Sequence, residues 1–386
     1  MKNHHKDVND YKPPYPNLSA LDHAQNKLRT LPSLVKNTEI RALSSMLANA
    51  GRGKSFIIQL GDCAERFAEA GDDITEKKYS HLVQIKNAVE KITGLPVTLI
   101  GRIAGQYGKP RSSVLELLGG KPVFSYHGDI VNAEHPTDCR HADPDRMLTA
   151  HQSSQKIISY LDAQQQKIFT SHECFLLEYE IAMTRQYQGK FYNTSTHFPW
   201  LGMRNIESSQ HINYLECIEN PIALKVSASI SIPLLISVIK KLNPSNKLGR
   251  VTLITRLGYT KTKSHMPKLI EAILENKLNV VWMCDPLHGN THKDQYGMKY
   301  RLLDEAIAET RDTLKCLVKM KQHFAGVHIE ATYRTDVMEC VSSPEELTPE
   351  RTYQSAVDPR LNYDQSFMYI NRLFENISTK ELQHNG

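Results

Sequence analysis

The sequence predicts a (β/α)8 TIM barrel, an α/β fold, preceded by an N-terminal helical extension. Eight short runs rich in apolar and β-branched residues recur along the chain, and periodic helical segments lie between most of them. The runs are nearly continuous in apolar residues, which is typical of parallel strands buried on both faces. A length of 386 residues accommodates a large barrel and an extension. A doubly wound open sheet is the alternative that the same pattern allows.

The predicted extension comprises the first 50 residues. Residues 1–17 are polar and contain three prolines, which predicts an extended arm on the surface. Apolar residues spaced three to four apart predict two helices over 18–31 and 37–51, the second of which stops at Gly51. The predicted division of the chain is an extension over 1–50, a catalytic barrel over 51–370 and a C-terminal tail over 371–386.

The eight predicted strands follow the extension in order. Their bounds are 55–61, 96–102, 167–173, 190–196, 221–227, 250–256, 279–285 and 324–332. Helices are predicted between most of them, at 74–92, 145–164, 231–242, 266–276 and 302–320. Because the active site of such a barrel forms at the C-terminal ends of its strands, the residues that end each run are candidate site residues.

Composition excludes several classes of function. A net charge of +5, with both signs spread along the chain, is too mild to indicate nucleic-acid binding but suits anionic small molecules. Seven scattered cysteines without a CxxC pair indicate a reducing compartment rather than a disulfide framework. The polar N-terminus and the absence of an apolar run of about 18 residues predict a cytoplasmic protein without a membrane partner.

Basic residues concentrate at the predicted strand ends. The set comprises Arg102, Lys109, Arg111, Arg204, Lys225 and Arg256. With few carboxylates beside them, these cations would repel one another unless an anionic molecule lay among them. Two phosphorylated substrates, one of which is also a carboxylate, would supply the matching charge, since Arg and Lys both bind such groups.

A second set of strand-end residues has the chemistry of a metal site. Cys63 follows the first run, His288 follows the seventh, Glu330 lies at the eighth, and Asp358 lies near the C-terminus. A thiolate, an imidazole and two carboxylates fit a divalent transition metal, whereas structural zinc sites more typically use only Cys and His. Strands one, seven and eight become neighbours when the barrel closes, so these residues can meet.

Several motifs resemble the type II (plant-like) 3-deoxy-D-arabino-heptulosonate 7-phosphate (DAHP) synthases, and they occur in order from about residue 15 to about residue 370. The most specific are GDCAE (61–65), GRIAGQYGKPRS (101–112), CDPLHGNT (284–291), GVHIEAT (326–332) and DPRLN (358–362). The resemblance implies a barrel transferase of the shikimate pathway. It would condense phosphoenolpyruvate and erythrose 4-phosphate, with water, to DAHP and phosphate.

The resemblance also implies roles for individual residues. The metal ligands would be Cys63, His288, Glu330 and Asp358. Phosphoenolpyruvate would contact Arg102, Lys109, Arg204, Lys225 and Arg256, and the aldose phosphate would contact Arg111 and Ser112. Lys109 and Arg102 are the predicted catalytic residues. Manganese is the expected metal, with cobalt, iron and zinc as alternatives, and the expected assembly is a homodimer in which the N-terminal segment is available to cross the interface.

The sequence departs from the family pattern at four positions. Leu60 and Ser227 replace glycines, Met203 replaces a glutamate, and Val357 replaces a cysteine. The segment from Arg102 to His172 is also shorter than in feedback-regulated members, which insert helices there. These features predict a short form that serves secondary metabolism and that aromatic amino acids inhibit weakly or not at all.

Three other interpretations fit part of the sequence pattern. A metal-dependent hydrolase on the same barrel would typically have His-x-His at the end of the first strand, and this chain has Asp62-Cys63 there. A non-catalytic relative that binds phosphorylated metabolites is suggested by Met203, although all four predicted metal ligands are present. A synthase that accepts an aminated aldose phosphate remains open.

Overall fold

A computed structural model describes residues 14–111, 113–135, 140–348 and 350–377. Eight parallel strands close into a barrel in chain order, and the last strand pairs with the first. The strands are β1 (Phe56–Gly61), β2 (Val97–Arg102), β3 (Phe169–Glu173), β4 (Phe198–Leu201), β5 (Ile222–Val226), β6 (Val251–Thr255), β7 (Val281–Cys284) and β8 (Phe324–Glu330). The predicted (β/α)8 barrel is therefore confirmed, and the open sheet is excluded.

The prediction for the fourth strand is wrong. Residues 190–196 do not enter the barrel, because Lys190–Asn193 pairs with Thr184–Tyr187 as an antiparallel hairpin. The fourth barrel strand is the four-residue segment β4, which pairs with β3 and β5. His197 therefore precedes the fourth strand and lies at the N-terminal end of the barrel.

Two helices precede the barrel, as the sequence predicts for the N-terminal extension. They are α1 (Leu18–Thr30) and α2 (Asn37–Ala50). The side chain of Asn17 accepts a hydrogen bond from the backbone N–H of Ala20 (3.1 Å), and this contact caps the start of α1. Residues 1–13 of the predicted arm and 378–386 of the predicted tail lie outside the described residues.

One helix follows each barrel strand in the described ranges. These helices are α3 (Asp72–Thr93), α4 (Arg146–Asp162), α5 (Leu177–Ala182), α6 (Ser209–Cys217), α7 (Ile232–Leu242), α8 (Tyr259–Glu275), α9 (Leu303–Lys319) and α10 (Tyr363–Phe374). The predicted boundary at residue 370 falls inside α10. None of the described helices has both the length and the apolar content needed to cross a lipid bilayer. The six cysteines within the described ranges are free thiols.

Helix α2 covers the N-terminal end of the barrel. Its Leu43, Leu47 and Ala50 are fully buried and join one apolar cluster with side chains of the barrel interior. Gly249, just before β6, has a φ of +89°, and a Cβ there would lie 2.4 Å from the carbonyl oxygen of Ser44. Glycine at this position therefore permits α2 to pack directly against the start of β6.

A charged contact joins α2 to the same end of the barrel. Glu39 Oε1 lies 2.6 Å from the Lys167 ammonium, and Glu39 Oε2 lies 3.3 Å from Nε2 of His197. The Nδ1 atom of His197 accepts the backbone N–H of Thr170 at 2.9 Å. Lys167 and His197 precede β3 and β4, so the contact ties α2 to the starts of two strands.

Candidate active site

The four predicted metal ligands meet at the C-terminal mouth of the barrel. Ligand atoms of Cys63, Glu330 and Asp358 all lie within 4.8 Å of one another. Nε2 of His288 lies 3.0 Å from Oε1 of Glu330 and 3.9 Å from Oδ2 of Asp358. Glu330 ends β8, whereas the other three residues lie in the segments that follow strands. Barrel closure therefore brings together side chains that lie up to 295 positions apart in the chain.

Lys109 supplies a positive charge inside this cluster. Its ammonium nitrogen lies 2.8 Å from the sulfur of Cys63 and 3.5 Å from Oε1 of Glu330, and it also pairs with Asp358. Burial acts to lower the pKa of Lys109, but the nearby carboxylates of Asp358 and Glu330 outweigh it, so the pKa is raised. The cluster therefore supplies the negative charge that stabilises a cation at its centre.

Arg102 uses most of its donors on the protein itself. Its Nε donates to the Asp62 carbonyl (2.9 Å), and Nη2 donates to the Cys63 carbonyl (3.1 Å) and to Glu330 Oε1 (3.0 Å). Nη1 contacts Nε2 of His328. An arginine has five N–H donors and no acceptor, and these contacts with described residues use four of the five.

The other predicted phosphoenolpyruvate-binding cations lie around the same mouth. Lys225, Lys109, Arg204 and Arg102 all favour the ionised form of the Glu173 carboxylate, although burial raises the Glu173 pKa overall. Burial lowers the pKa of Lys225 to about 8, and the charges of Arg102 and Arg256 act in the same direction. Arg102 and Lys225 also lie close together in space, since the Arg102 guanidinium carbon and the Lys225 ammonium lie 5.1 and 5.9 Å from the centre of the Trp200 ring.

The prediction that few carboxylates accompany these cations is wrong. Lys225 lies 2.6 Å from Asp285 Oδ2, Arg102 pairs with Glu330, and Lys109 pairs with Asp358. Two of these three partners, Glu330 and Asp358, are themselves predicted metal ligands. A metal bound to them would reduce the negative charge that they offer to the neighbouring cations, and those cations would then be freer to bind substrate.

The predicted aldose-phosphate contacts are only partly described. Arg111 pairs with Glu116 at 3.4 Å. Glu116 lies in a hairpin formed by Leu115–Leu118 and Lys121–Phe124. Nη1 of Arg204 donates to the carbonyl of Pro110 at 3.3 Å, so the β4 loop contacts the Arg111 segment. Ser112 lies outside the described residues.

The loop that carries His288 is held by close backbone contact. A Cβ on Gly289 would lie 2.5 Å from the backbone nitrogen of Gly258, so only glycine lets the loops after β6 and β7 approach this closely. Arg256 Nη2 donates to the His288 carbonyl at 2.9 Å. Nδ1 of His288 lies 2.7 Å from Asp285 Oδ2, which fixes the ring orientation and directs Nε2 towards Glu330.

The protonation of the ligand side chains suits a metal only in part. Burial raises the pKa of the Cys63 thiol to about 12, and the Glu330 charge adds to this effect. Burial also lowers the pKa of His288, which favours the neutral imidazole that a metal ligand requires, although the charges of Asp285 and Glu330 act in the opposite direction. The pKa of Glu330 lies well below its usual range despite burial, because His288, Lys109 and two arginines are close.

The donor set fits a divalent transition metal. One sulfur, one imidazole nitrogen and two carboxylates are brought together with a positively charged lysine already among them. Only a metal would turn the thiol into the thiolate form that ligates well, since a coordinated thiol is deprotonated outright. The residues that would hold such an ion are Cys63, His288, Glu330 and Asp358.

Three residues of this region were given no role by the sequence. Arg301, on the short strand Lys299–Leu302, is 2.8 Å from Glu330 Oε2, and Lys299 is 2.7 Å from Asp358 Oδ1. Glu339 accepts five hydrogen bonds from the segment that carries Asp358. These residues lie in connecting segments, where no strand-end rule applies and where no local pattern identifies them.

The barrel and the polar cluster at its C-terminal mouth define a (β/α)8-barrel enzyme of the kind that acts on small anionic molecules. The chain belongs to the class-II DAHP synthetase family, whose profile matches residues 1–167 and 160–371. It is accordingly an enzyme, a transferase, of that family.

Relatives of similar length and a solved structure support this assignment. The chain is 34% identical to "Phospho-2-dehydro-3-deoxyheptonate aldolase" of Neurospora crassa over 430 aligned positions, covering 92% of this chain and 89% of the relative. It is 34% identical to "Probable phospho-2-dehydro-3-deoxyheptonate aldolase" of Pseudomonas fluorescens over 364 positions, covering 91% of each chain. The structure of phospho-2-dehydro-3-deoxyheptonate aldolase from Francisella tularensis superposes with a TM-score of 0.59 at 15% identity, covering 93% of this chain and 96% of that one. At that identity, the structural likeness shows the fold alone.

Proposed function

We propose that this protein condenses phosphoenolpyruvate with erythrose 4-phosphate and water to give DAHP and phosphate, with the help of a divalent metal. The supporting observation is that Cys63, His288, Glu330 and Asp358 converge at one mouth of the barrel beside Lys109 and Arg102. Family membership and the names of the relatives agree with this reaction.

The chain's own residues would position and neutralise the substrates. The remaining N–H of Arg102, together with Lys225, Arg204 and Arg256, would hold the carboxylate and phosphate of phosphoenolpyruvate. Arg111 and Ser112 would hold the aldose phosphate. With both substrates fixed, the C2=C3 double bond of phosphoenolpyruvate would open as C3 bonds to the aldehyde carbon, and the aldehyde oxygen would take up a proton to become a hydroxyl. Water would add at C2 and lose its protons, and phosphate would leave from C2 as the keto group forms.

Lys109 is the proposed residue closest to the reacting oxygen. Its ammonium lies among the metal ligands, so it would counter the negative charge that develops on the aldehyde oxygen as the C–C bond forms. A bound divalent ion, for which manganese is the first choice and cobalt, iron and zinc are alternatives, would supply Lewis acidity towards the same oxygen.

We also propose that this chain is a short, weakly regulated form that serves secondary metabolism. The alignment with the Neurospora protein spans 430 positions and that with the Pseudomonas protein spans 364, for nearly the same share of this chain. The former relative therefore carries residues that this chain lacks. Saturating tryptophan, phenylalanine or tyrosine, alone or combined, should reduce the initial rate less than tenfold. Strong synergistic inhibition would refute this proposal.

The proposed assembly is a cytoplasmic homodimer.

The test is phosphoenolpyruvate consumption measured with and without erythrose 4-phosphate, before and after chelation. Consumption should require the aldose phosphate, stop on chelation and return when Mn²⁺ is added back. Activity that survives chelation would contradict the metal-assisted reaction. A protein that binds phosphoenolpyruvate without consuming it would be the non-catalytic relative, and turnover only with an aminated aldose phosphate would identify the other alternative.

A further inference from the structure

The predicted metal ligands differ in how firmly the barrel holds them. Glu330 is the last residue of β8 and is fixed by the pairing of that strand with β1. Cys63 and Asp358 lie in irregular segments, and Asp358 is separated from β8 by a long connection. Strand pairing alone therefore does not fix the distance between the Cys63 sulfur and the Asp358 carboxylate.

Arg360 connects these two segments directly. Its Nη1 donates to Asp62 Oδ1 at 2.7 Å, and Asp62 immediately precedes Cys63. On its other side, Nε and Nη2 donate to the two oxygens of Glu339 at 3.0 and 2.8 Å. All three side chains are almost completely buried, with at most 7% of the side-chain surface exposed. The guanidinium thus bridges the segment after β1 and the segment that carries Asp358.

Glu339 organises the second of these segments. Its carboxylate accepts the backbone N–H groups of Gln354 (3.1 Å), Ser355 (2.8 Å) and Arg360 (2.8 Å), besides the two bonds from the Arg360 side chain. Five hydrogen bonds to one buried carboxylate fix the backbone on both sides of Asp358.

The Asp62 carboxylate is anchored on its far side as well. Its Oδ2 lies 2.8 Å from the ammonium of Lys78 on α3, which also lies 2.8 Å from Glu69. The alternating charges run from Glu339 through Arg360, Asp62 and Lys78 to Glu69. A buried series of ion pairs adds little net stability, because desolvation offsets the attraction, but it strongly restricts the geometry of its members.

Arg301 makes a second bridge between ligand-bearing segments. It is 1% exposed; its Nη1 donates to Glu330 Oε2 at 2.8 Å and contacts the carbonyl oxygen of Pro359. Its Nε donates to the hydroxyl of Thr291 at 3.0 Å, three residues beyond His288. One side chain therefore touches the end of β8, the neighbour of Asp358 and the His288 loop.

We propose that Arg360 and Arg301 are positioning residues that hold the four ligand-bearing segments in register for the metal. This inference rests on the proposed metal site and adds two residues that do not ligate the ion themselves. Arg360 sets the spacing of Cys63 and Asp358, and Arg301 sets the spacing of Glu330, Asp358 and His288. Outer partners of metal ligands typically change metal affinity 10–100-fold when they are replaced.

The test is Co²⁺ binding to the full-length protein after chelation. The near-ultraviolet charge-transfer band of a cobalt–thiolate bond reports Cys63 coordination, and competition with a chelator gives the dissociation constant. Arg360→Lys and Arg301→Lys keep one positive charge but cannot make the same forked contacts. Each should weaken Co²⁺ binding about 10–100-fold. Arg360→Lys should also weaken the thiolate band, and saturating Co²⁺ should restore part of the activity of both variants.

Arg334→Lys is the matched control. Arg334 lies in the same connection between β8 and α10, but it pairs with Asp336 (2.6 Å) in a partly exposed contact. The Arg334→Lys substitution should leave the Co²⁺ affinity within twofold of the wild type. Thermal unfolding of the metal-free variants separates a local loss of positioning from a global loss of folding, since the melting temperatures should stay within a few degrees of the wild type.

Two outcomes would overturn the inference in distinguishable ways. Co²⁺ affinities within twofold of the wild type for both arginine variants would refute the positioning role and leave the proposed metal site intact. Failure of the wild-type protein to bind Co²⁺ would refute the proposed metal site and the positioning role with it. If Arg360→Lys does not fold, Asp62→Asn is measured instead; it retains the shape of Asp62 but removes the charge that Arg360 contacts, and the same loss of affinity is expected.

Discussion

The two ends of this barrel have opposite chemistry, although the same eight strands form both. At the N-terminal end, Leu43 and Leu47 of α2 pack against interior residues such as Ile57 and Met283, and all four side chains are fully buried. At the C-terminal mouth, the buried side chains are carboxylates, cations, a thiol and an imidazole.

This difference separates stability from function. Burying a large apolar side chain contributes roughly 1.5–3 kcal/mol, so the end under α2 stabilises the fold. Buried ion pairs approximately break even, so the mouth contributes geometry and charge rather than stability. Substitutions at the two ends should therefore separate activity from folding, and residues at the boundary should affect both.

The largest expected effect is the loss of activity when a ligand at the mouth is removed. Cys63→Ala or His288→Ala should lower kcat at least about a thousandfold, because several kcal/mol of charge stabilisation are lost. Urea denaturation of the metal-free proteins should show that both variants stay folded, although His288→Ala leaves the buried carboxylates of Asp285 and Glu330 without a partner and should cost about 1–3 kcal/mol of unfolding free energy. Cys217→Ala and His23→Ala, at exposed positions on α6 and α1, are the controls and should keep wild-type activity. Wild-type turnover by Cys63→Ala or His288→Ala would show that the proposed metal site is not needed for the reaction.

The reverse effect is expected at the other end. Leu47→Ala should lower the free energy of unfolding by about 2–5 kcal/mol, because it leaves a cavity between α2 and the barrel. The folded fraction should keep kcat/KM within about threefold of the wild type. Leu18→Ala, at a side chain that is 69% exposed, should change the unfolding free energy by less than about 0.5 kcal/mol. A large loss of kcat/KM in Leu47→Ala would show that the two ends are not independent.

Trp200 lies at the boundary between the two regions. Its ring joins the apolar cluster, and it also lies 5.1 Å from the Arg102 guanidinium carbon and 5.9 Å from the Lys225 ammonium. Trp200→Phe should raise KM for phosphoenolpyruvate about fivefold, equivalent to about 1 kcal/mol of cation–π interaction, and lower the unfolding free energy by about 1–2 kcal/mol.

Trp282→Phe is the matched comparison for Trp200. Trp282 is 2% exposed and packs in the outer core. Its replacement should lower the free energy of unfolding by a similar amount and leave KM unchanged. Equal KM values for the two variants would contradict the boundary role of Trp200.

The smallest effect is expected from the contact of Glu39 with Lys167 and His197 at the N-terminal end of the barrel. The hydrogen bond with His197, followed by that with Lys167, holds the pKa of Glu39 well below its usual range. The Glu39 carboxylate therefore takes up a proton more readily in the unfolded chain than in the folded one. The stabilisation of the folded protein by this carboxylate is present at neutral pH and is lost as the pH falls below about 5. Glu39→Gln should cost about 1 kcal/mol at pH 7 and less at lower pH, as measured by urea denaturation from pH 3 to 8.

The exposed pair of Glu216 and Lys241 provides the control for Glu39. Their charged atoms lie 3.5 Å apart with 42–47% of each side chain exposed, so Glu216→Gln should change the free energy of unfolding by less than about 0.5 kcal/mol. If the difference between wild type and Glu39→Gln does not shrink on acidification, the contact does not stabilise α2.

Sequence pattern was sufficient for the barrel but not for all of its strands. Seven runs were long, apolar and separated by helices, and each contains the observed strand or most of it. The fourth strand is only four residues long and contains Pro199, which cannot donate a hydrogen bond and normally argues against an inner strand. The nearby hairpin arm Lys190–Asn193 is equally short, but it belongs to a β-rich run without proline and therefore has the stronger strand pattern.

The candidate site shows the same limit. Residues that end strands, such as Glu330, could be placed because barrel closure fixes where strand ends meet. The contacts of Arg301 and Arg360 depend on how long connections fold back over the mouth, and no periodic pattern encodes that path. The carboxylate partners of the cations are also not predictable from the sequence, because the contacts of Lys225 with Asp285 and of Arg102 with Glu330 join residues far apart in the chain.

The position of α2 confines exchange with solvent to one side of the barrel. Because Leu43, Leu47 and Ala50 fill the N-terminal end, the ligand cluster is reached from the C-terminal mouth. A molecule that occupies this mouth would therefore block the entry of reactants and the exit of products together.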